Sequence, residues 1–557
     1  MNKRILLIEP RFPILYPGQD LFVLQPSLGM LLLAASLEKH GFDVCLINTK
    51  VDSKLGNINL SQYAAVGITG HAIQHREIVK ATRYIKNKSP CLPIVLGGSH
   101  ATFSAEFILK QVPTIDFVIR HEGEDSFPLL LKHLSEPEVF QNVPGLSFRR
   151  GENIVNNPAK PIYNLDELPT PAFHLLDLKK YFKKIDREAK NFGVNDITLS
   201  LGLNASRGCV AQCTFCSARL LQHSKWRICS QAKLIRDLQS LLDHFKPWLS
   251  RINIDFIDNT FNSSKKWLLE FCRLLNKYHI NIEWRCFCRA DKVDAELVSA
   301  MASSGCIGIF LGAETANDES LEKMKKGIMT DSVTSATKLF ADHNISVILS
   351  FMVGFPWERK EHIMQTLKTA LVYQSANPVI EGKIFKPTPF PGTHFWDLLK
   401  EQKLLKSEER LLNKERIDEF DISRRSGFTY RHPFLREIDL DTLILWFYLK
   451  TVIQNIFFLT GKKYFDFQEG LKLRIRLLLG VASTLGAKKR FKDEMKQLEH
   501  LINHPQKAEL SRISRHLDCM VANIKEKPQK WSEPLVKYKE SQDKVFPTNF
   551  GTSQKKP

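Results

Sequence analysis

The sequence of 557 residues predicts an α/β protein made of two successive parallel-sheet units and a mostly helical C-terminal region. Up to about residue 140, short apolar runs alternate with helical patterns. Six further strand–helix units follow between residues 196 and 395, and helical patterns dominate from residue 396. A chain of this length can bury several separate cores, which agrees with this division.

The first unit, residues 1–140, is predicted to be a doubly wound, Rossmann-like sheet. Its apolar runs have the length of buried parallel strands, and they occupy residues 5–8, 44–47, 65–68, 94–96 and 117–119. Ligands of such sheets bind at the carboxyl ends of the strands. The turn at Gly97, Gly98 and Ser99 follows the fourth run and lets a ligand approach the backbone. The chain has no Gly-x-Gly-x-x-Gly, which disfavours a nicotinamide-binding domain.

The second unit, residues 196–395, follows a linker over residues 141–195 that is rich in proline around residues 164–172. Its predicted strands lie at residues 198–202, 252–257, 282–287, 307–311, 347–352 and 379–385. Helical patterns such as those at 265–277 and 294–304 separate them. Six units of this kind predict a partial (β/α)6 barrel related to the TIM barrel, with its site at the carboxyl ends of the strands.

The C-terminal region, residues 396–525, is predicted to be helical, and the tail at 526–557 is expected to be disordered. The apolar run at 440–459 contains Asp441, Lys450, Gln454 and Asn455, so it predicts a packed helix and not a membrane span. Residues 471–480 and 488–490 are basic and amphipathic. They leave two interpretations open, namely contact with a membrane surface or a helix that covers the barrel.

One short loop holds three cysteines, Cys209, Cys213 and Cys216, in the pattern Cys-x3-Cys-x2-Cys. Iron–sulfur clusters usually take four protein thiolates, so three thiolates leave one iron open to an outside ligand. An open metal position marks a reactive site in zinc enzymes as well. The alternatives are a zinc site that includes His223, and a set of buried structural thiols. The chain has no second Cys-x2-Cys knuckle, and the loop is polar, so both alternatives are disfavoured.

This motif, with Phe215 just before the last cysteine, resembles the cluster motif of radical S-adenosylmethionine (SAM) enzymes. In that family SAM chelates the open iron, and electron transfer releases a 5′-deoxyadenosyl radical. The resemblance therefore implies a [4Fe-4S] cluster on the three cysteines, with SAM as a cofactor.

The first unit resembles the cobalamin-binding domain that precedes the barrel of many radical SAM enzymes. The similar segments are residues 26–29, 67–69, 95–102 and 120–124. The resemblance implies cobalamin contacts at Gly67, Thr69, Gly97, Gly98, Ser99, Glu122 and Gly123. The loop at 9–13 lacks the Asp-x-His-x-x-Gly motif, which points to the subgroup whose cobalt has no lower His ligand. His121 stands where glycine is usual, and His71, His75 and His100 are interpreted as surface or capping histidines.

Residues at the predicted strand ends of the barrel resemble those of the cobalamin-dependent radical SAM methyltransferase class. The resemblance implies SAM contacts at Phe215, Asp258, Arg289, Glu314, Gly354 and Glu358. Asn259 replaces the usual second acid after Asp258. Glu314 is expected to be a buried carboxylate whose partner is SAM, and Glu358 has the alternative of stabilising a helix start. Cys286, Cys288 and Cys306 are interpreted as core thiols.

By this resemblance the protein is a cobalamin-dependent radical SAM enzyme that methylates an unactivated carbon of a small molecule, lipid or peptide. The reaction would use a 5′-deoxyadenosyl radical and methylcobalamin, with an external electron donor such as flavodoxin or ferredoxin. Two alternatives stay open, namely oxidative or cyclising radical chemistry without methyl transfer, and a cobalamin-binding sensor without catalysis. No individual catalytic residue is assigned.

Charge and cysteine usage bear on partners and location. The formal net charge is +19, and about half of the excess falls after residue 400, where 31 Lys and Arg face 21 Asp and Glu. Charge alone leaves an RNA-modifying enzyme open, but the chain has no RNA-binding motif, so a nucleic-acid partner is not expected. Eleven cysteines without framework spacing, and an N-terminus without signal-peptide features, predict a cytoplasmic protein. The basic C-terminal helices leave open a peripheral contact with the inner face of the membrane.

Overall fold

The computed structural model describes residues 3–12, 24–52, 55–191, 197–223, 225–405, 430–459, 488–501 and 506–527, together with 475, 478 and 479. The strands are β1 (Arg4–Glu9), β2 (Asp43–Asn48), β3 (Ala65–Thr69), β4 (Ile94–Gly97), β5 (Phe117–Ile119), β6 (Leu146–Arg150), β7 (Asn153–Asn156), β8 (Leu199–Leu203), β9 (Ser206–Arg207), β10 (Arg227–Ile228), β11 (Ile252–Phe256), β12 (Trp284–Cys288), β13 (Cys306–Glu314), β14 (Ser346–Met352) and β15 (Ile380–Phe385).

The helices alternate with these strands. They are α1 (Leu28–Lys39), α2 (His75–Lys88), α3 (Gly98–Gln111), α4 (Ser126–Lys132), α5 (Leu178–Asn191), α6 (Ala218–Leu221), α7 (Gln231–His244), α8 (Lys265–Lys277), α9 (Ala295–Ser303), α10 (Asp318–Lys323), α11 (Thr330–Asp342), α12 (Lys360–Ala376), α13 (His394–Glu401), α14 (Glu437–Leu459), α15 (Lys492–Leu501) and α16 (Lys507–Ala522).

The first unit is a doubly wound sheet with strand order β2-β1-β3-β4-β5-β6-β7. Strands β1 to β5 are parallel, as their continuous apolar runs predict. One core packs α2 and α3 against one face of the sheet, and a second core packs α1 and α4 against the other. This two-sided packing places the carboxyl ends of β1, β3, β4 and β5 along one edge.

The sheet continues into the segment that the sequence predicted to be a linker. Strands β6 and β7 add to it in antiparallel fashion, and Gly151 turns the chain between them with a φ of +62°. The outer strand β7 is only half-buried and carries asparagine at both ends, so its sequence lacks a strong strand pattern. Helix α5, in the same segment, packs Tyr181 and Phe182 into the core of the second unit.

The second unit is an open sheet of six parallel strands in the order β15-β14-β13-β12-β11-β8, which agrees with a partial barrel. One face is covered by helices and buries residues such as Ile254, Trp284 and Leu349. The other face carries the alternate residues of each strand, and we call it the open face. The predicted core thiols Cys286, Cys288 and Cys306 are buried among the helix-facing residues, with 3.5 Å between the sulfurs of Cys286 and Cys288.

The long helix α14 is packed against the barrel. Gln374 of α12 donates to the Thr451 hydroxyl at 3.1 Å, and Tyr448 donates to the carbonyl of Ile384 on the edge strand at 3.1 Å. The buried Asp441 pairs with Lys386. Within the described part of the chain, none of the helices is long and apolar enough to cross a membrane. Almost all of the basic stretch at 471–480, and the tail beyond 527, lie outside the described residues.

Candidate functional site

A cavity lies between the carboxyl edge of the first sheet and the start of the barrel. Its empty volume is about 1200 Å³, including its open mouth. Helix α1 contributes an apolar wall, and the barrel contributes Asn204, Ser206, Arg207 and Ile257. All seven residues that the sequence assigned to cobalamin line it, namely Gly67, Thr69, Gly97, Gly98, Ser99, Glu122 and Gly123. The cavity therefore offers a large cofactor both an apolar wall and a polar, glycine-rich rim.

Two glycines of this rim are required by the fold itself. Gly98 has a φ of +90°, and a Cβ there would lie 2.8 Å from Thr69 Oγ1 and 2.9 Å from the carbonyl oxygen of Gly70. A Cβ at Gly67 would lie 2.7 Å from the side chain of Leu7. Neither position has room for a side chain, so only glycine fits there without moving the neighbouring atoms.

The backbone of His121 has a φ of +66°, in the left-handed region that favours glycine. This conformation explains why glycine is usual at this position. His121 Nδ1 lies 3.0 Å from the carbonyl oxygen of Leu221, and its ring stacks on His223 with centroids 4.3 Å apart. These contacts hold the left-handed backbone at His121 and connect the first unit to the helix that follows the cysteine loop.

The interpretation of His75 and His100 as surface or capping histidines is wrong. Both side chains are buried, and His75 Nδ1 lies 2.7 Å from His100 Nε2. Burial lowers the pKa of His75 to about 4 and that of His100 to about 3, the latter with a further contribution from the charge of His75. His71 Nδ1 lies 2.8 Å from the hydroxyl of Ser99 on the cavity rim.

Glu122 has protein partners in the second unit. Its carboxylate accepts from Arg207 at 3.1 Å and from Arg227 at 2.9 Å, and Arg207 also pairs with Glu124. All four side chains are at least nine-tenths buried. Burial alone would raise the pKa of Glu122, but the hydrogen bond from Arg227 and the charge of Arg207 lower it below its usual range. This buried network joins the two units on one side of the cavity.

Asp258 supports the backbone that leads into the cysteine loop. It is 2 % exposed, and it accepts hydrogen bonds from the N–H groups of Ala205 and Ser206 and from the Ser206 hydroxyl. Burial raises its pKa to about 6. Asn259, which stands in place of a second acid, donates to the carbonyl of Gly208 at 3.1 Å. Both carboxylate oxygens of Asp258 therefore have protein partners. The contact of Asp258 with SAM stays a prediction.

The cysteine loop is fixed from its far side as well. Thr214 donates its N–H to the carbonyl of Met324 at 2.9 Å, and Phe395 donates its N–H to the carbonyl of Thr214 at 3.0 Å. The ring of Phe215 meets that of Phe355 edge to face, with 5.7 Å between centroids. The loop is therefore held by the residue that follows α10 and by the start of α13.

The three thiols of this loop are free and half-buried. Burial raises the pKa of Cys213 to about 11 and that of Cys216 above its usual value. Among the described residues, no group of three or more His, Cys, Asp or Glu side chains converges on a single ion. The donor set, three thiols on one loop, fits a cluster with one open iron.

Arg289 presents an unused hydrogen-bond donor. Its Nε donates to Asp291 at 2.9 Å, and its Nη2 donates to the carbonyl of Lys326 at 3.1 Å. The buried Nη1 has no hydrogen-bond partner. A guanidinium fixed in this way, with one donor group unsatisfied, fits the carboxylate of SAM.

Glu314 has a protein partner that the sequence did not predict, and its expected contact with SAM stays a prediction. Its Oε1 lies 2.5 Å from Nζ of Lys326, and both side chains are buried. Burial alone would lower the pKa of Lys326, but the charges of Glu314 and the Cys213 thiolate raise it. Glu314 also has a φ of +61°, at the end of β13. The sequence carries no motif that marks Lys326, which follows α10 in a loop.

Glu358 closes the turn at the end of β14. It is fully buried, and its Oε2 accepts from the N–H groups of Gly354 at 2.7 Å and Phe355 at 3.0 Å. Burial raises its pKa to about 7. Its hydrogen bonds go to the turn and not to the start of α12, so they do not support the helix-start alternative. Tyr430 donates to the carbonyl of Gly354, and His432 Nε2 lies 3.1 Å from that of Phe355.

The last two contacts were missed by the sequence reasoning. Tyr430 and His432 belong to the C-terminal region and reach the turn across more than seventy residues of chain. No local motif surrounds them, and only the tertiary structure reveals the contact.

Changing Gly208 to Ala is expected to lower the iron content of the reconstituted protein at least severalfold. Gly208 has a φ of +92°, and a Cβ there would lie 2.1 Å from the backbone oxygen of Lys225, so the backbone before Cys209 must move. Iron and sulfide analysis would measure the loss. Gly151→Ala is the matched control, since Gly151 also has a positive φ but no atom within 4 Å of the added Cβ. Equal iron in both variants would contradict this prediction.

Comparison with known proteins agrees with this arrangement. Residues 22–131 match the model of the B12 binding domain, and residues 203–370 match that of the radical SAM superfamily. The chain is 29% identical to an uncharacterized methyltransferase of Pyrococcus horikoshii over 382 residues, which cover 67% of this chain and 78% of that protein. It is 26% identical to an anaerobic magnesium-protoporphyrin IX monomethyl ester cyclase of Synechocystis over 423 residues, 73% and 79% of the two chains.

A solved structure shares the fold over most of the chain. It is that of the cobalamin-dependent S-adenosylmethionine radical enzyme OxsB with aqua-cobalamin and SAM bound. The TM-score is 0.65 at 17% identity, and the match covers 93% of this chain and 79% of OxsB.

The two matched domains indicate which cofactors the protein binds. A radical SAM domain implies a [4Fe-4S] cluster and SAM, and a B12-binding domain implies cobalamin. The three-thiol loop, the unsatisfied Arg289 and the glycine-rich cavity are suited to these groups. The chain is therefore a radical SAM enzyme with an N-terminal B12-binding domain, a member of the cobalamin-dependent radical SAM family.

Proposed function

We propose that this enzyme transfers a methyl group to an unactivated carbon of a small-molecule substrate. The observation that carries the proposal is the cavity between the two units, because residues of the cobalamin rim and residues next to the cysteine loop line the same space. Cobalamin held at the rim would supply the methyl group, and the cysteine loop beside the same space would hold the cluster that supplies the radical. The similarity to a methyltransferase over two thirds of the chain supports the same reaction.

Different residues of the chain would bind the cluster and SAM. Cys209, Cys213 and Cys216 would hold the cluster, and Arg289 would bind the SAM carboxylate through Nη1. Gly354 has a φ of +101° and lies in the turn that Glu358 holds by hydrogen bonds. This glycine would let the backbone of the turn approach the adenine. When bound, the cluster and SAM supply a carbon-centred radical, and cobalamin supplies the methyl group.

The first unit would hold cobalamin at its rim. Thr69 and Ser99 offer hydroxyls, and Gly97, Gly98 and Gly123 leave room for the corrin edge. Glu122 would act through Arg207 and Arg227, which it fixes at the boundary of the two units. The external electron donor would be a flavodoxin or a ferredoxin.

Anaerobic reconstitution with iron, sulfide, SAM and hydroxocobalamin, followed by reduction and mass spectrometry, would test the proposal. Methyl transfer should yield both 5′-deoxyadenosine and S-adenosylhomocysteine. The similarity to the Synechocystis cyclase favours one alternative, in which cobalamin does not deliver a methyl group. That alternative should yield 5′-deoxyadenosine alone, and the absence of both products would favour a binding protein without catalysis.

Changing Arg289 to Met is expected to weaken SAM binding by about 2 kcal/mol, or roughly 30-fold, because a charge-assisted hydrogen bond is lost. The change in the cluster's absorption or EPR spectrum on SAM addition would measure the affinity. Iron content should stay near that of the wild type, because the thiolates lie on another loop. Arg285→Met is the control, since Arg285 lies on β12 four residues before Arg289 and pairs with Asp255. Unchanged SAM affinity in Arg289→Met would remove Arg289 from the SAM site.

A further inference from the structure

A second cavity lies on the open face of the barrel sheet. It spans the inward positions of β8, β11, β12, β13 and β14, and its empty volume is about 1400 Å³ including its mouth. None of the residues assigned above to the cluster, SAM or cobalamin lines it. Its lining therefore differs from that of the cofactor sites described above.

The middle of this cavity is apolar and aromatic. Phe287 pairs in register with Phe310, which pairs with Ile348, so the three side chains form one row across neighbouring strands. The rings of Phe287 and Phe310 are 5.0 Å apart and tilted by 46°. Phe287 keeps 37% of its surface exposed. Phe310 and Ile348 are partly buried, so the row as a whole leaves apolar surface in contact with water unless a ligand covers it.

The amino-terminal end of the cavity is polar but satisfied within the protein. Arg285 donates from Nε to Asp255 at 2.9 Å and from Nη2 to the hydroxyl of Ser200. The charges of this row are already paired, so they do not call for a charged ligand. The row forms a floor beneath the aromatic side chains.

One polar group of the wall has no partner. Nε2 of Gln25 is buried, and it forms no hydrogen bond with any described residue. Gln25 lines the cavity, and a buried amide donor without an acceptor is costly. A ligand with an acceptor oxygen near Gln25 would remove that cost.

The cavity on the open face and the cobalamin cavity come close to each other at Gly202. A Cβ at Gly202 would lie 3.2 Å from Nε2 of Gln25 and 3.3 Å from Cδ1 of Ile257, and Ile257 lines the cobalamin cavity. The absence of a side chain at Gly202 therefore leaves Gln25 and Ile257 as the boundary between the two spaces.

We propose that the cavity on the open face binds the substrate, and that the substrate is a flat, apolar ring system carrying an acceptor oxygen. The ring lies against Phe287 and Phe310, and the oxygen accepts from Gln25. The carbon to be modified then points past Gly202 and Ile257 toward cobalamin. This inference rests on the proposed function, and it assigns the substrate class to a site of its own.

Two probes test the substrate class in the reconstituted holoprotein, naphthalene and 2-acetylnaphthalene, which differ by an acceptor ketone. Anaerobic equilibrium dialysis would measure their affinities. We expect saturable binding of both, with the ketone bound about tenfold more tightly. Gln25→Leu should abolish that difference and leave naphthalene binding unchanged. Phe310→Ala should weaken both probes about tenfold.

Tyr278→Ala is the control, because Tyr278 is an exposed aromatic at the end of the outer helix α8. Iron content and circular dichroism would show whether the Phe310 variant folds, and the Gln25 variant provides a second test if it does not. Binding that is absent in the wild type, or equal in all variants, would overturn the proposal. Tighter binding of the acyclic 2-dodecanone would overturn it as well.

Because these measurements need no turnover, they fail independently of the methyl-transfer experiment. An enzyme that forms both SAM products but binds neither probe would keep the proposed function and lose the substrate class. Probe binding without those products would keep the substrate class and contradict the proposed methyl transfer.

Discussion

Replacing Cys209, Cys213 and Cys216 together by Ala should reduce the bound iron to background and abolish 5′-deoxyadenosine formation. In the described part of the barrel, the other cysteines, such as Cys286, are buried among helix-facing residues, so the three thiols of this loop are the ones available to a cluster. Iron and sulfide analysis after anaerobic reconstitution, with mass spectrometry of SAM products, would measure both effects.

The fold should survive this change. The loop is held by backbone bonds through Thr214 and by the Asp258 contacts before it, and neither involves a thiol. The circular dichroism spectrum should therefore match that of the wild type. Cys519→Ala removes an exposed thiol elsewhere and should keep full iron. A triple variant that retained stoichiometric iron would refute the cluster assignment.

Parallel strands were predicted well because burial on both faces leaves a continuous apolar run in the sequence. The strand predicted at 307–311 nevertheless extends over Cys306–Glu314, since Gly312 and Ala313 carry no strand signal of their own. Strands β6 and β7 were missed because they form an antiparallel edge with mixed polarity. Periodicity detects burial, and it weakens where a strand is half exposed.

The same distinction applies to the site. The three cysteines form one local motif, and the rim residues lie in short segments that resemble a known family, so both could be predicted from the sequence. Lys326, which pairs with Glu314, and Tyr430, which holds the Gly354 turn, come from distant segments with no motif. Glu122 lines the cavity where cobalamin was expected, and its carboxylate also pairs with two arginines of the other unit, which the sequence did not predict. Contacts of this kind depend on how the two units pack, which spacing cannot reveal.

Changing Lys326 to Met should destabilise the barrel by about 3–5 kcal/mol, because it leaves the carboxylate of Glu314 buried without its partner. Both side chains of the pair are about nine-tenths buried, and their charged atoms lie 2.5 Å apart. Glu314→Gln alone should also destabilise, since it leaves Lys326 buried close to Arg289, another cation. Urea unfolding followed by circular dichroism would measure each variant.

The double variant Lys326→Met with Glu314→Gln separates pairing from packing. It removes both charges, so it should recover most of the stability that the single changes lose, and the coupling energy should reach about 2 kcal/mol or more. Lys323→Met is the control, because the side chain of its partner Glu319 is 63% exposed, and a pair with a solvent-exposed carboxylate contributes about 0.5 kcal/mol or less. Additive single effects, or a Lys326 variant no less stable than the Lys323 variant, would show that the pair does not support the site. If the double variant is stable but binds SAM weakly, the pair also positions the cofactor, because Lys326 accepts the Arg289 guanidinium through its backbone carbonyl.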